Sequence, residues 1–292
     1  MSRLFAQDST DKVIVTAAAS INNLAQRTIL GWMKFSLGSA STDYCLSSRS
    51  ASTFTFGVNP TAAYGAYCSI DAATDAYSEQ VNAASPVAET WSHFAITYDN
   101  AGDRKIDLFI NGVEVSYVAQ QAAVGALVSD AAINLVVGSY TANPTPTPAK
   151  KLFDFRVYNS ILTPANLADI IALGSTEDPA PANLVCQLTF ETDQGATEPD
   201  ASGNGNNGAI TGAAFNADNP SFGATVYSVP DCRDYATFPN DFRDVQDTLI
   251  YDVPAFESRT AGPTVDSRAA GPVIDSRVDP NIPYNSRTFP PF

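Results

Sequence analysis

The chain has 292 residues, 45% of them hydrophobic and 16% charged, enough apolar material to bury a core without disulfide or metal staples. Its formal net charge of −15 argues against nucleic-acid partners, because phosphate contacts need Lys and Arg in quantity, and against anionic membrane surfaces. No stretch approaches the ~18 consecutive apolar residues of a membrane-spanning helix, and Met1-Ser2-Arg3-Leu4-Phe5-Ala6 lacks the apolar region of a secretory signal, so the expectation is a chain made and used from the cytoplasm rather than exported.

Charged residues are few and Ala, Ser, Thr, Asn and Gly abundant, which suits many short strands and turns. Residues 12–16 form a first β-rich run. Residues 27–35 follow, apolar on both faces, as expected of a central strand covered on both sides. Residues 53–58 alternate, with Phe54 and Phe56 on one face. In residues 91–98, Phe94, Ile96 and Tyr98 share a face at period two. A turn at 99–103 leads into residues 105–110, then Asn111-Gly112, then 113–117. Asn-Gly between alternating runs predicts a hairpin with a type I′ turn. Residues 135–138 and 152–157 add two strands, and the Pro-rich stretch 143–148 between them is excluded from a central strand.

One helix is expected. Thr163 is its N-cap and Pro164 its first residue. Leu167, Ile170 and Ile171 form its apolar stripe, and Gly174 closes it after about three turns. It is expected to plug an end of the fold. Residues 183–190 return to strand character, 200–208 form a Gly/Asn loop, and short β segments reach about residue 228. Regularly spaced short strands predict one all-β, antiparallel jelly-roll β-sandwich with one short helix, over residues 1–228.

The stretch from Trp91-Ser92-His93-Phe94 to Leu108-Phe109-Ile110-Asn111-Gly112 resembles the central signature of laminin-G-like, concanavalin-A-like domains. There a Trp-x-His strand leads to a hairpin ending in Asn-Gly. Residues 152–163, ending Val157-Tyr158-Asn159-Ser160-Ile161-Leu162-Thr163, look like that family's closing strand. Asp200-Ala201-Ser202-Gly203-Asn204-Gly205-Asn206-Asn207-Gly208 is similar to a loop that usually opens such domains, although here it follows the body. The resemblance covers about residues 1–225 and implies the fold. Function is left open by it, since the fold serves lectins, adhesion modules, glycosidases and structural parts. The N-terminus and an appended C-terminal arm look most like the laminin-G-like proteins that tailed bacteriophages encode.

That arm is residues 256–292, joined to the body by 229–255, whose Tyr235, Phe238, Phe242, Leu249, Ile250 and Tyr251 predict docking rather than a free linker. Ser-Arg recurs through Arg259, Arg268, Arg277 and Arg287, spaced nine, nine and ten residues apart. Each pair follows an acidic residue or Asn, among them Asp266 and Asp275. Few apolar residues and many prolines exclude a core here and keep the chain extended. Nine extended residues span roughly 30 Å. The arm is expected to lay Arg on carboxylates of a neighbouring protein, with Phe289 and Phe292 as terminal anchors.

No catalytic set emerges. His93 is the single histidine and is expected to be a packed or edge residue. No Gly-x-Ser-x-Gly elbow, phosphate loop or dinucleotide fingerprint is present. Jelly-roll glucanases need two glutamates on one strand. The near match Glu191-Thr192-Asp193 places Gly195 and Ala196 where the second glutamate belongs. Cys45, Cys68, Cys186 and Cys232 have no metal-ligand spacing and are expected as free thiols, with Cys45 and Cys68 able to face each other on neighbouring strands. Calcium is the one candidate cofactor, with Asp99, Asn100 and Asp103 in one turn, or Asp200 and Asn204 in another, as candidate ligands.

The expectation for function is a non-enzymatic structural virion protein, assembled in the host cytoplasm. It would decorate a capsid, collar or tail as a homo-oligomer and be fixed to other virion proteins by its arm. The alternative is a glycan-binding, lectin-like module, with Tyr64, Tyr67 and Tyr140 as stacking candidates.

Overall fold

Strands form where β-branched and aromatic residues alternate or run on, and turns form at the Gly, Asn and Asp clusters between them. The computed structural model describes residues 1–6, 11–36, 44–49, 54–59, 64–81, 86–140, 149–176 and 178–222. All of these belong to the first of two units into which the chain divides, Met1–Val226; the second, Tyr227–Phe292, lies outside the described residues.

The first strands are β1 (Ser2–Phe5), β2 (Lys12–Val15), β3 (Gln26–Phe35), β4 (Tyr44–Arg49), β5 (Phe54–Val58), β6 (Tyr64–Ile70), β7 (Ala72–Thr74) and β8 (Ala76–Val81). The middle of the chain supplies β9 (Ser92–Asp99), β10 (Ile106–Ile110), β11 (Val113–Glu114), β12 (Tyr117–Gln121), β13 (Val124–Leu127), β14 (Leu135–Val137) and β15 (Lys150–Tyr158). Helix α1 (Pro164–Leu173) and the short strands β16 (Leu184–Leu188), β17 (Thr197–Glu198), β18 (Gly208–Thr211) and β19 (Ala214–Asn216) complete the body.

Two sheets stack. One runs β11-β10-β9-β3-β15-β1-β19, with β16 also paired to β15; the other runs β12-β8-β6-β5-β4-β14-β2-β18-β17. A small ribbon, β13-β7, stands beside them. Every ladder among the described residues is antiparallel. The result is a jelly-roll sandwich with, among the described residues, one short α-helix, as the strand pattern predicts. Among the described residues no helix is long and apolar enough to cross a membrane.

Between the sheets lies one large apolar cluster. Ile29, Met33 and Phe35 of β3, Phe94, Ile96 and Tyr98 of β9, and Phe54 and Phe56 of β5 all belong to it. Strand β3 is buried on both faces because its other face is covered too. Leu30 joins Ala95, Phe109, Tyr158 and Leu162 in a second cluster with Leu167 and Ile170 of α1. The helix therefore does not plug an end of the sandwich, as expected from its size, but lies flat on the outer face of the first sheet. Burying two branched side chains there contributes roughly 1.5–3 kcal/mol each. Thr163 caps the helix by accepting from the Asn166 N–H at 3.2 Å, while Asn166 Oδ1 accepts from the Thr163 N–H.

The predicted hairpin closes at Asn111 and Gly112, with φ of 51° and 79°. Asn111 also clasps the neighbouring strand: its N–H donates to the His93 carbonyl, and its Oδ1 accepts from the His93 N–H, both at 2.8 Å. That clasp is the physical content of the Trp-x-His and Asn-Gly signature. The return strand is shorter than expected. After Glu114 the chain leaves the first sheet, and Tyr117–Gln121 pairs with β8 in the second.

His93 is a packed residue, between Thr28-side β3 and β10 neighbours, not an edge one. Its ring meets Trp32 edge-on at 5.3 Å, and neither ring nitrogen has a hydrogen-bond partner. Burial, helped by the nearby Arg156 charge, depresses its pKa to about 3. The unfolded chain therefore takes up a proton near pH 6.5 that the folded chain refuses until about pH 3. This contribution to stability is fully present above pH 6.5 and is lost as pH falls toward 3. Urea denaturation across that range is expected to show wild type losing stability faster than His93→Leu, and parallel pH profiles would refute the assignment.

Cys45, Cys68 and Cys186 are buried, Cys68 and Cys186 as free thiols, and Cys232 lies outside the described residues. Cys45 and Cys68 are not on neighbouring strands, since β5 runs between β4 and β6. The body closes on itself: β19 pairs with β1, setting Asn216 opposite Ser2, and β18 pairs with β2. Among the described residues, which stop at 222, the last strand ends at Asn216; residues 223–228 of the expected β region lie outside them.

Candidate functional site

One end of the sandwich, where β3 begins and β6 and β9 end, holds a pocket of about 310 Å³. Three kinds of segment build it. Asn23, Ala25 and Arg27 come from the approach to β3 and its start, Ile70 and Asn100 from strand ends, and residues 127–130 from the end of β13 and the turn after it.

A reciprocal clasp shapes the rim. Asn23 adopts φ of 51°, a left-handed conformation that Asn tolerates better than most residues. Its N–H then donates to Asp130 Oδ1 at 2.5 Å, and its Oδ1 accepts from the Asp130 N–H and the Ser129 hydroxyl at 3.1 and 3.0 Å. Asn100 sits in the β9–β10 turn, where its Oδ1 accepts from Arg104 Nε and the Tyr98 hydroxyl.

Behind the rim lie two guanidinium groups and one carboxylate. Arg49 donates to the Ile21 carbonyl at 2.6 Å and to Asn22 Oδ1 at 2.8 Å, and it stands 3.5 Å from Asp130 Oδ2. Arg27, 6% exposed, donates through Nη2 to the Leu24 carbonyl at 2.6 Å and rests over the Tyr98 ring, while its Nε has no partner. Burial lowers the pKa of both arginines, and Asp130 opposes that shift in each. Arg27 thus brings positive charge to the pocket wall of a chain whose net charge is −15.

The other candidates fall elsewhere. Of the calcium set, Asp99 Oδ1 accepts from the Ala101 N–H and Oδ2 from Gln26, and Asp103 Oδ1 accepts from the Lys105 N–H. Those oxygens shape the turn, and Asn100 lines the pocket instead. Asp200 is likewise engaged, accepting from the N–H groups of Gln187, Ser202 and Asn206, while Asn204 donates to the Leu184 carbonyl. The Asp-x-Ser-Gly-Asn loop thus staples itself to β16. Among the described residues no group of three His, Cys, Asp or Glu side chains could hold a metal ion.

In the glucanase-like stretch, Glu191 accepts from the Ser175 hydroxyl, and Asp193 and Glu198 each stand 3.5 Å from Arg3. The Tyr67 and Tyr140 hydroxyls hydrogen-bond each other. Neither tyrosine lines the pocket. The Tyr64 side chain lies outside the described residues, as do Arg259, Asp266, Arg268, Asp275, Arg277, Arg287, Phe289, Phe292 and the linker 229–255.

Comparison with known proteins bears on the fold. A laminin-G family model, described as the concanavalin A-like lectin/glucanases superfamily, matches residues 7–168. Among solved structures, one from Bacteroides ovatus, named as a candidate carbohydrate binding protein, superposes with a TM-score of 0.56 at 14% identity over 76% of this chain. The chain spans 61% of that protein's length. The heptameric SAP-like pentraxin of Limulus polyphemus aligns over 58% of this chain and 81% of its own, at 13% identity and a TM-score of 0.39. The binding domain of botulinum neurotoxin serotype D aligns over 57% of this chain and 42% of its own, at 15% identity and a TM-score of 0.42. At such identities the likeness speaks to the fold alone. No curated protein sequence matches.

Proposed function

Since the chain belongs to the concanavalin A-like lectin/glucanase superfamily, we propose that it is a carbohydrate-binding module of the lectin type, without glycosidase activity, and that the pocket at the sandwich end is where sugar sits. The observation that carries this is the make-up of the pocket wall. Ile70, Leu127 and Val128 offer an apolar face for ring C–H groups, while Asn23, Asn100 and Ser129 place amide and hydroxyl groups within reach of sugar hydroxyls. Small-ligand sites combine apolar walls with a few polar groups in this way. The fold of the Bacteroides ovatus relative, named for carbohydrate binding, agrees with the reading.

Hydrolysis is disfavoured because it needs two carboxyl groups poised across a glycosidic bond. Here Glu191 is tied to Ser175, and Asp193 and Glu198 flank Arg3. The lectin-type reading stands ahead of the virion-decoration role expected from the C-terminal repeat, because the superfamily match and the Bacteroides ovatus fold neighbour, named for carbohydrate binding, support it.

Val128 tests the reading. It is 51% exposed, and its N–H donates to the Asp71 carbonyl, so its side chain can be enlarged without cutting a core contact. The full chain is expected to bind a subset of glycans on an array. Val128→Trp is expected to weaken that binding at least about tenfold, with stability changed by no more than about 0.5 kcal/mol. A wild-type chain that binds no glycan, or a folded Val128→Trp that binds as wild type does, would overturn the reading.

A further inference from the structure

We infer that the pocket selects an acidic sugar residue and holds it through its carboxylate against Arg27; the inference rests on the glycan-binding reading above. A neutral sugar gives no account of the charge behind the rim. Asp130 stands 3.5 Å from Arg49 and also attracts Arg27. Arg49 also donates to the Ile21 carbonyl and Asn22, which fixes it as a brace for the rim. Arg27 is different. It lines the pocket, it is almost wholly buried, and one hydrogen bond, to the Leu24 carbonyl, accounts for a single one of its five N–H donors. Its Nε is buried without a partner.

A buried guanidinium short of acceptors is costly, and the group that best completes it is a carboxylate, which can take two parallel N–H bonds. Aliphatic Ile70, Leu127 and Val128 exclude water on one side and strengthen such a contact by lowering the local dielectric. Size narrows the ligand further. A pocket of about 310 Å³ sits at the small end of ligand sites and suits one ring with its substituents rather than a long chain. The rest of the surface argues for local rather than long-range recognition. With a net charge of −15 the chain repels anions at a distance, so an acidic sugar would be chosen by contact with Arg27 and not by steering.

Matched ligand pairs test this on the unmodified full-length chain. An array carrying glucuronate- and galacturonate-terminated glycans beside their uncharged glucose and galactose counterparts would be followed by calorimetric titration of the best pair. The acidic member is expected to bind at least about tenfold more tightly. Arg27→Gln is expected to erase that preference while leaving the weaker neutral binding, and Arg27→Lys to keep part of it. Equal affinity for the two members, or preference for the neutral one, overturns the inference and leaves the glycan-binding reading standing. A folded Arg27→Gln that keeps the full preference also overturns it. Binding of neither member, nor of any other glycan on the array, removes both.

Discussion

Replacing Arg156 with methionine is expected to destabilise the body by about 3–5 kcal/mol, the cost of leaving a buried carboxylate without its partner. Arg156 and Asp154 are both fully buried. The guanidinium donates to both Asp154 oxygens, at 2.7 and 2.9 Å, to the Tyr158 hydroxyl at 3.2 Å and to the Gly174 carbonyl at 3.0 Å. Gln187 joins them by donating to Asp154 Oδ1 and to the Ser175 carbonyl, each at 2.9 Å. The network therefore ties the C-terminal end of α1 to two strands of the first sheet. Asp154 holds a φ of 48° at a break in the β15 register, so its carboxylate is aimed by a strained backbone that the network must sustain.

Urea denaturation of wild type and Arg156→Met would measure the cost. Adding Asp154→Asn is expected to recover part of it, because Asn tolerates the left-handed backbone and carries no charge to strand. A loss below about 1 kcal/mol for Arg156→Met would mean that water reaches Asp154 and that the network does not hold the helix.

The second large effect is expected at Gly138. A Cβ there would lie 2.2 Å from Phe5 Cε1 and 2.6 Å from Cδ1 and Cζ, on a backbone with φ of 83°. Its N–H donates to the Leu46 carbonyl, so the backbone is held in place and cannot swing aside freely. Gly138→Ala thus meets two penalties, roughly 1–2 kcal/mol for the left-handed backbone and roughly 1–3 kcal/mol for overpacking. Adding Phe5→Leu separates them. The double variant is expected to regain the packing component and keep the backbone one. If Phe5→Leu gives no recovery in that background, the clash is not the cause.

The strands were legible because period two is a direct imprint of the pleat. Phe54 and Phe56, and Phe94, Ile96 and Tyr98, all reach the core through it. The turn at Asn111-Gly112 was legible because its φ values need those residue types. The position of α1 was not, since an apolar stripe states that a helix is covered and not by what. The swap of residues 117–121 into the second sheet was hidden as well, because a strand crossing between sheets keeps the same alternation.

The candidate site was legible only in retrospect. Arg27 stands two residues before Ile29, on the face that Ile29 and Met33 turn to the core. A charge on an inward face was the available signal, but an apolar run that long hides a single polar position at its end. Asp130 gave no local sign, for its role depends on Asn23, more than a hundred residues earlier.

The pairing of β19 with β1 and of β18 with β2 has a consequence for how the protein is made. Both of the earliest strands wait for partners synthesised some two hundred residues later. During translation each presents an open row of backbone donors and acceptors, the kind of edge that invites pairing with another chain. Folding of this body is therefore expected to be slow, completing only once residue 216 is clear of the ribosome. By the same topology, Ser2 and Asn216 end as neighbours, so the beginning and end of the body could be joined and the chain reopened at a surface turn such as Ala101-Gly102 without altering a single sheet.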